Sequence, residues 1–153
     1  MYQDSLATPL GPLTITSNQG THINQISYAA PTTSASCALT QRAKHQLQEY
    51  FAGQRTQFDL PLAPQGTPFQ QQVWQQLLQV PYGQTVSYQA IATAIGRPKA
   101  CRAVGGANGN NPLPIIIPCH RIIGANGTLT GYTGGIDKKV WLLTHEGADF
   151  VPL

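Results

Sequence analysis

Cys119 follows Ile115-Ile116-Ile117-Pro118 and is itself followed by His120 and Arg121. The isoleucines read as a buried extended run, braced by Pro114 and Pro118, that puts Cys119 at a stiffened exit from the core. A cysteine becomes a nucleophile when a cation, a base or helix-end dipoles favour its thiolate. His120 and Arg121 are adjacent, and Glu146 lies in a later helical stretch. Cys119, His120 and Glu146 therefore have the parts of an activation relay. Glu146 would orient His120, and His120 would take the thiol proton directly or through a water. The residues alone leave a second reading open. Spacing does not bring the three together, and a cysteine behind three isoleucines is more often an inert buried thiol.

The segment from Gly124 to Gly135 is rich in glycine but lacks the Gly-Lys-Ser/Thr of a phosphate-binding loop, which argues against nucleotide binding. It reads either as a plain connection or as a flexible loop that sets Tyr132 and Thr133 beside a pocket. Asp137 is expected to cap a final helix that packs through Val140, Trp141 and Leu142 or Leu143.

Composition limits the setting of this chemistry. With 153 residues, 41% of them hydrophobic, the chain can build one ordinary domain or two small ones. Charged residues make up only 10%, and the net charge of +3 leans weakly towards a polyanionic partner. Three cysteines at irregular spacing form no disulfide framework, and no pair has the CxxC spacing of a thiolate zinc site. The opening residues MYQDSLATPLGPL contain neither a signal peptide nor a membrane span. The expectation is a cytoplasmic protein with free thiols, no metal, no cofactor and no membrane contact.

The elements that must position these residues follow from periodicity. Leu13 and Ile15 alternate with threonines, Ser17-Asn18-Gln19-Gly20 signals a turn, and Ile23 to Tyr28 completes a β-hairpin. Leu39, Ala43, Leu47 and Phe51 recur at helical spacing over 38–51, ending at Gly53. A short extended piece is predicted over 57–60. The prolines between Pro61 and Pro68 then mark a boundary, giving an N-terminal α/β (α+β) domain over 1–63 and a C-terminal domain over 64–153. The second domain is mainly helical. Phe69, Val73 and Leu77, flanked by Trp74 and Leu78, make its first helix. Ser87 caps a second, whose apolar face is Ala90, Ile91, Ala94 and Ile95, closed by Gly96. Pro98 opens a third, running from about Lys99 towards Asn108.

The last two helices match a helix-turn-helix outline, although an ordinary helical hairpin in a core has the same geometry. The composition of the third helix, Arg102-Ala103-Val104-Gly105-Gly106-Ala107-Asn108, separates the two. Adjacent glycines inside a helix cost roughly 1 kcal/mol each relative to alanine. Small side chains permit close approach to another surface, and a DNA minor groove suits them better than a major groove read by long side chains. Arg102, alone on this smooth face, would enter the base stack or hold phosphates.

Taken together, Pro118-Cys119-His120-Arg121, the Arg102 to Asn108 run, Asn111-Pro112, Gly131-Tyr132, Gly134-Gly135, Lys139, Leu142-Leu143 and Glu146-Gly147 closely resemble the methylated-DNA–protein-cysteine methyltransferases, also called O6-alkylguanine-DNA alkyltransferases. The resemblance runs from about Phe69 to Gly147. It implies a winged-helix-like C-terminal domain that binds DNA and accepts the alkyl group. Cys119 would take the group from guanine O6 in a direct displacement, irreversibly and once per molecule. His120, through a water, would act as base, with Glu146 fixing the imidazole, and Asn111 would help hold the active-site turn. Tyr88 would donate to guanine N3. Pro114, Ile122, Tyr132 and Thr133 would line the pocket for the extruded base. Arg102 would fill the vacated stack, with Ala103, Gly105 and Gly106 in the minor groove and Gln89 as a less secure contact. The implied partner is double-stranded DNA carrying O6-alkylguanine, met by a monomer without cofactor. Some relatives carry an N-terminal zinc site built from cysteines and histidines. Only Cys37, His22 and His45 are present in that region here, so no such site is expected.

Three other readings compete. A non-catalytic relative that binds alkylguanine and flags it for other repair needs no nucleophile, yet Cys119 is present. A cysteine-dependent hydrolase leaves the Arg102 helix and Tyr88 unexplained. A transcriptional regulator would carry longer polar side chains on its recognition helix.

Overall fold

A computed structural model describes residues 1–132 and 135–151. The chain divides into two compact units, Met1–Gln65 and Gly66–Leu153. Among the described residues no helix is long and apolar enough to cross a membrane.

The first unit is a three-stranded antiparallel sheet backed by one helix. The predicted hairpin is β2 (Leu13–Ser17) with β3 (Gln25–Ser27), registered through Ile15 and Ile26. An unpredicted strand, β1 (Tyr2–Leu6), adds to the other edge with Leu6 opposite Leu13, so β2 is central and wholly buried. Helix α1 (Ala38–Phe51) has the predicted limits and buries Leu39, Ala43, Leu47 and Tyr50. Cys37 caps it reciprocally with Thr40.

The predicted extended piece over 57–60 is not a strand. Side chains meet its backbone instead, Arg55 Nη1 at the Gln57 carbonyl and Gln46 at both polar groups of Asp59. Gln46 Nε2 donates to the Asp59 carbonyl at 3.1 Å, and the Asp59 amide donates to Gln46 Oε1 at 2.9 Å.

The second unit is mainly helical, as expected. Its elements are α2 (Pro68–Leu77), β4 (Val86–Ser87), α3 (Tyr88–Ala94), α4 (Cys101–Gly109), a 3-10 turn at Cys119–Arg121, β5 (Ile122–Ile123) and α5 (Ile136–His145). Thr67 caps α2 and Ser87 caps α3. Trp74, 1% exposed, donates from Nε1 to the Ala107 carbonyl at 2.8 Å and so joins α2 to α4. On α3 the buried residues are Ile91 and Ala92, whereas Ala90 and Ala94 face solvent. Gly96, at φ +77°, makes the turn between α3 and α4.

Two predicted helix starts move. Pro98 lies in that turn, where the Ala100 amide donates to the Arg97 carbonyl at 2.9 Å, and α4 begins only at Cys101. Helix α5 is preceded by Gly135, with no side-chain cap, and Asp137 sits in the first turn instead. There its charge faces the positive end of the helix dipole. Strands β4 and β5 pair in parallel, Val86 with Ile122 and Ser87 with Ile123. That pairing brings the start of α3, and hence Tyr88, next to the segment that leaves Cys119.

Candidate active site

The run before Cys119 is buried, as predicted, but it is not extended. Pro114 and Ile117 form a bridge, and the Ile117 amide returns to the Leu113 carbonyl at 2.9 Å. Asn111 closes the loop from both ends. Its Nδ2 donates to the Ile117 carbonyl at 2.8 Å, and its Oδ1 accepts from the Leu113 amide at 2.9 Å. An extended chain would separate Asn111 from Ile117 by about 20 Å, at about 3.3 Å per residue. The turn also requires φ +77° at Ile115, a left-handed conformation that costs an L-residue about 1–2 kcal/mol. Burial of Ile115 at 1% exposure holds it there.

Cys119 opens the 3-10 turn and is 2% exposed. Burial pushes its thiol up to about 11, against the pull of the Asn111 side-chain hydrogen bond and the Lys139 charge. The free protein therefore holds Cys119 as a thiol, and a base is needed to activate it.

His120, next in the turn, supplies a suitable atom. Its Nε2 lies 2.7 Å from Glu146 Oε2, with both side chains fully buried. Burial alone would raise the Glu146 carboxyl. Hydrogen bonds from His120 and Arg121 overcome this and hold it well below the usual carboxylate range. An ionised carboxylate only accepts, so Nε2 carries the proton and the lone pair of neutral His120 is on Nδ1. Nδ1 is buried and, among the described residues, has no hydrogen-bond partner. Burial also lowers the pKa of His120, with Glu146 opposing, which keeps the imidazole neutral near neutral pH. Cys119, His120 and Glu146, 27 positions apart at their extremes, thus belong to one site.

Sequence reasoning missed three residues of this site. Arg121 forks onto Glu146 and also donates to the Val80 carbonyl at 2.7 Å. Asn108 Nδ2 donates to the Cys119 carbonyl at 3.4 Å, while its buried Oδ1 has no partner among the described residues. Lys139 is fully buried on α5, and burial brings its ammonium down to about 8. Charged residues read as solvent-facing, and Lys139 directly follows Asp137 and Lys138, so nothing local in the sequence signalled its burial.

A cavity of about 360 Å³ opens on Cys119 and is lined by Tyr88, Gly105, Asn108, Gly109, Gly131 and Tyr132. Tyr88 and Tyr132, half the unit apart in sequence, both line it. Pro114 and Ile122 are buried and are not among its walls, Pro114 being in the Asn111 turn and Ile122 in β5. Thr133 lies outside the described residues. Among the described residues no group of three or more His, Cys, Asp or Glu side chains could hold a metal ion.

Beside this cavity α4 presents a smooth face. Arg102, Ala103 and Gly106 are exposed. A Cβ added at Gly106 would meet nothing within 4 Å, and one at Gly105 would make only ordinary contact with the Tyr88 ring at 3.7 Å. The fold itself therefore does not need these glycines. Gln89 is exposed but committed within the unit. Its Nε2 donates to the Pro98 carbonyl at 2.8 Å, and its Oε1 accepts from the Cys101 thiol at 3.2 Å.

Comparison with known proteins agrees with this arrangement. Residues 68–148 match the 6-O-methylguanine DNA methyltransferase, DNA binding domain, and residues 1–64 the ribonuclease-like domain of the same proteins. The chain is 42% identical over 164 aligned residues to the methylated-DNA–protein-cysteine methyltransferase of Salmonella typhimurium, covering 96% of each. It is 60% identical over 105 residues to the constitutive enzyme of that name from Bacillus subtilis, covering 68% of this chain and 64% of the other. The crystal structure of Mycobacterium tuberculosis OGT in complex with DNA superposes with a TM-score of 0.88 at 46% identity, covering 96% of this chain and 93% of that one. The chain belongs to the 6-O-methylguanine DNA methyltransferase family, the methylated-DNA–protein-cysteine methyltransferases.

Proposed function

We propose that this protein repairs DNA by moving an alkyl group from guanine O6 onto Cys119, once per molecule. One observation carries the reading: a buried cysteine opens on a cavity beside a histidine whose free ring nitrogen is fixed as a base by a buried carboxylate. His120 Nδ1 takes the thiol proton, directly or through a water, and the charge this creates on the imidazole is met by Glu146. The thiolate sulfur then forms a bond to the alkyl carbon. The O6–carbon bond breaks, its electron pair stays with the guanine, and Tyr88 gives a proton to guanine N3. The product is a thioether with no good leaving group, so the protein is spent.

A guanine oxygen paired within a duplex cannot reach a buried sulfur, so the base must be flipped, at a cost of a few kcal/mol. The exposed face of α4 suits that task. Arg102 would fill the vacated stack, and Ala103, Gly105 and Gly106 would lie along the minor groove. Tyr132 and Thr133 would flank the extruded base, Pro114 and Ile122 would support that pocket from behind, and Asn111 would hold the turn. Gln89 would act on DNA only indirectly, by bracing the α3–α4 turn. The protein would work as a monomer in the cytoplasm.

The test is a transfer assay with duplex DNA bearing radiolabelled O6-methylguanine, using wild type and Cys119→Ala. Wild type should take up about one label per molecule, on the peptide containing Cys119, with no turnover at excess DNA. Lesion binding without labelling would favour a non-catalytic relative. Release of label with repeated turnover would favour a hydrolase.

A further inference from the structure

Asn108 is 5% exposed on α4 and lines the cavity that opens on Cys119. The orientation of its amide is set by the Cys119 carbonyl. That oxygen only accepts, so the atom 3.4 Å from it is the Nδ2 donor. Oδ1 is the end left over, buried and, among the described residues, without a hydrogen-bond partner. A buried acceptor left unpaired is destabilising, and native interiors seldom contain one. This one stands beside the reacting sulfur, where a donor can arrive with the substrate.

O6-alkylguanine offers such a donor at one place. Alkylation removes the hydrogen from N1, so the N–H groups that the base keeps are those of its 2-amino group. That group sits on the ring carbon next to N3, the atom assigned above to Tyr88, and Tyr88 lines the same cavity. Alkylated thymine presents the reverse. With its O4 in the place of O6, its O2 carbonyl falls where guanine has the amine, and its ring keeps no N–H. Asn108 Oδ1 would then oppose a second acceptor.

We propose that Asn108 is a specificity-determining residue, whose Oδ1 accepts from the 2-amino group of the flipped guanine and so favours O6-alkylguanine over alkylated bases that lack the amine. The proposal rests on the alkyl-transfer reading above. A site built to hydrogen-bond a substrate N–H rejects the analogue without it, because the protein's own buried group is then left unpaired. Asn108 belongs to α4, the same helix that carries Arg102. The element that would hold the duplex open thus also reads the base that leaves it.

The experiment compares bases within each variant, which cancels changes in sulfur reactivity and in the folded fraction. Single-turnover methyl transfer to Cys119 is measured at subsaturating DNA on duplexes that differ only in the lesion. The lesions are O6-methylguanine, O6-methylhypoxanthine, which lacks only the amine, and O4-methylthymine. Wild type should prefer guanine to both. Asn108→Leu and Asn108→Ala, which have no acceptor, should lower the preference over hypoxanthine about tenfold, the size of one net hydrogen bond. Their preference over O4-methylthymine should fall at least as far, since an opposed acceptor is removed as well. Asn108→Asp, which keeps an acceptor, should retain the preference over hypoxanthine. A wild type that treats guanine and hypoxanthine alike, or a preference unchanged in Asn108→Leu and Asn108→Ala, would overturn the proposal. A wild type that takes no methyl group from O6-methylguanine would instead sink the alkyl-transfer reading, and the role of Asn108 with it.

Discussion

Arg121 and Glu146 meet in a buried fork, with Nε donating to Oε1 at 2.8 Å and Nη2 to Oε2 at 3.0 Å. Oε2 also receives His120 Nε2, so one carboxylate anchors the base and is itself anchored by the guanidinium. A planar fork matches both carboxylate oxygens at once, which a lysine cannot do. The acidic end of the relay is thereby kept ionised inside the protein, and the tautomer of His120 follows from it.

Glu146→Gln removes the charge and keeps the shape. The folded carboxyl titrates below its unfolded value of about 4.3. Its stabilisation is therefore complete above that value and is lost as the pH falls through the folded one. At neutral pH the variant leaves Arg121 buried without its partner and should lose about 3–5 kcal/mol. Urea unfolding across a pH series should show the gap to wild type closing below about pH 4. A gap that widens in acid would contradict the fork.

Cys119 should be the slowest of the three thiols to react in the free protein. It is 2% exposed and its thiol is pushed up to about 11 by burial, whereas Cys37 and Cys101 are half-exposed. Cys37 is also shifted down, hydrogen bonds from Thr40 outweighing the effect of burial. Iodoacetamide at neutral pH, followed by peptide mass spectrometry, should label Cys37 and Cys101 before Cys119. Early labelling of Cys119 would mean that its thiolate is already formed without DNA.

Gly106→Ala should improve the free protein and impair its contact with DNA. The added methyl group meets nothing within 4 Å, so thermal or urea unfolding should show a gain of about 1 kcal/mol. On a duplex the same methyl would hold the helix away from the groove, weakening binding about tenfold for each 1.4 kcal/mol lost. A variant that gains stability and binds DNA as wild type does would show that the glycine serves neither purpose.

Arg102 is exposed on α4, so Arg102→Ala should leave the unfolding midpoint near wild type. Loss of a phosphate contact alone would reduce the slope of log affinity against log salt by about 1 and weaken binding evenly across sequences. Occupation of the base stack predicts more: transfer from paired O6-methylguanine should fall further than duplex affinity does, while transfer from a single strand should change little. Equal losses on both substrates would assign Arg102 to phosphate alone.

The amino-acid order by itself determined the elements with strong local signals. Helix α1 was legible to the residue because its apolar positions recur at 3.6-residue spacing and end at a glycine. Ser87 and the α3–α4 turn were legible for the same kind of reason. The identity of Cys119, His120 and Glu146 could also be read, since few other residue types do that chemistry. Only the tertiary structure decided what those residues meet. Two-residue strands such as β4 and β5 carry no period, so their pairing, which sets Tyr88 beside the cavity, left no trace in the sequence. Three isoleucines looked extended because β-branched residues favour strands, but Asn111 folds them into a turn through bonds to positions on either side. The burial of Arg121 and Lys139 was equally hidden. Charges default to solvent, and it is the packing of distant segments around them that removes the water and gives each charge its partner.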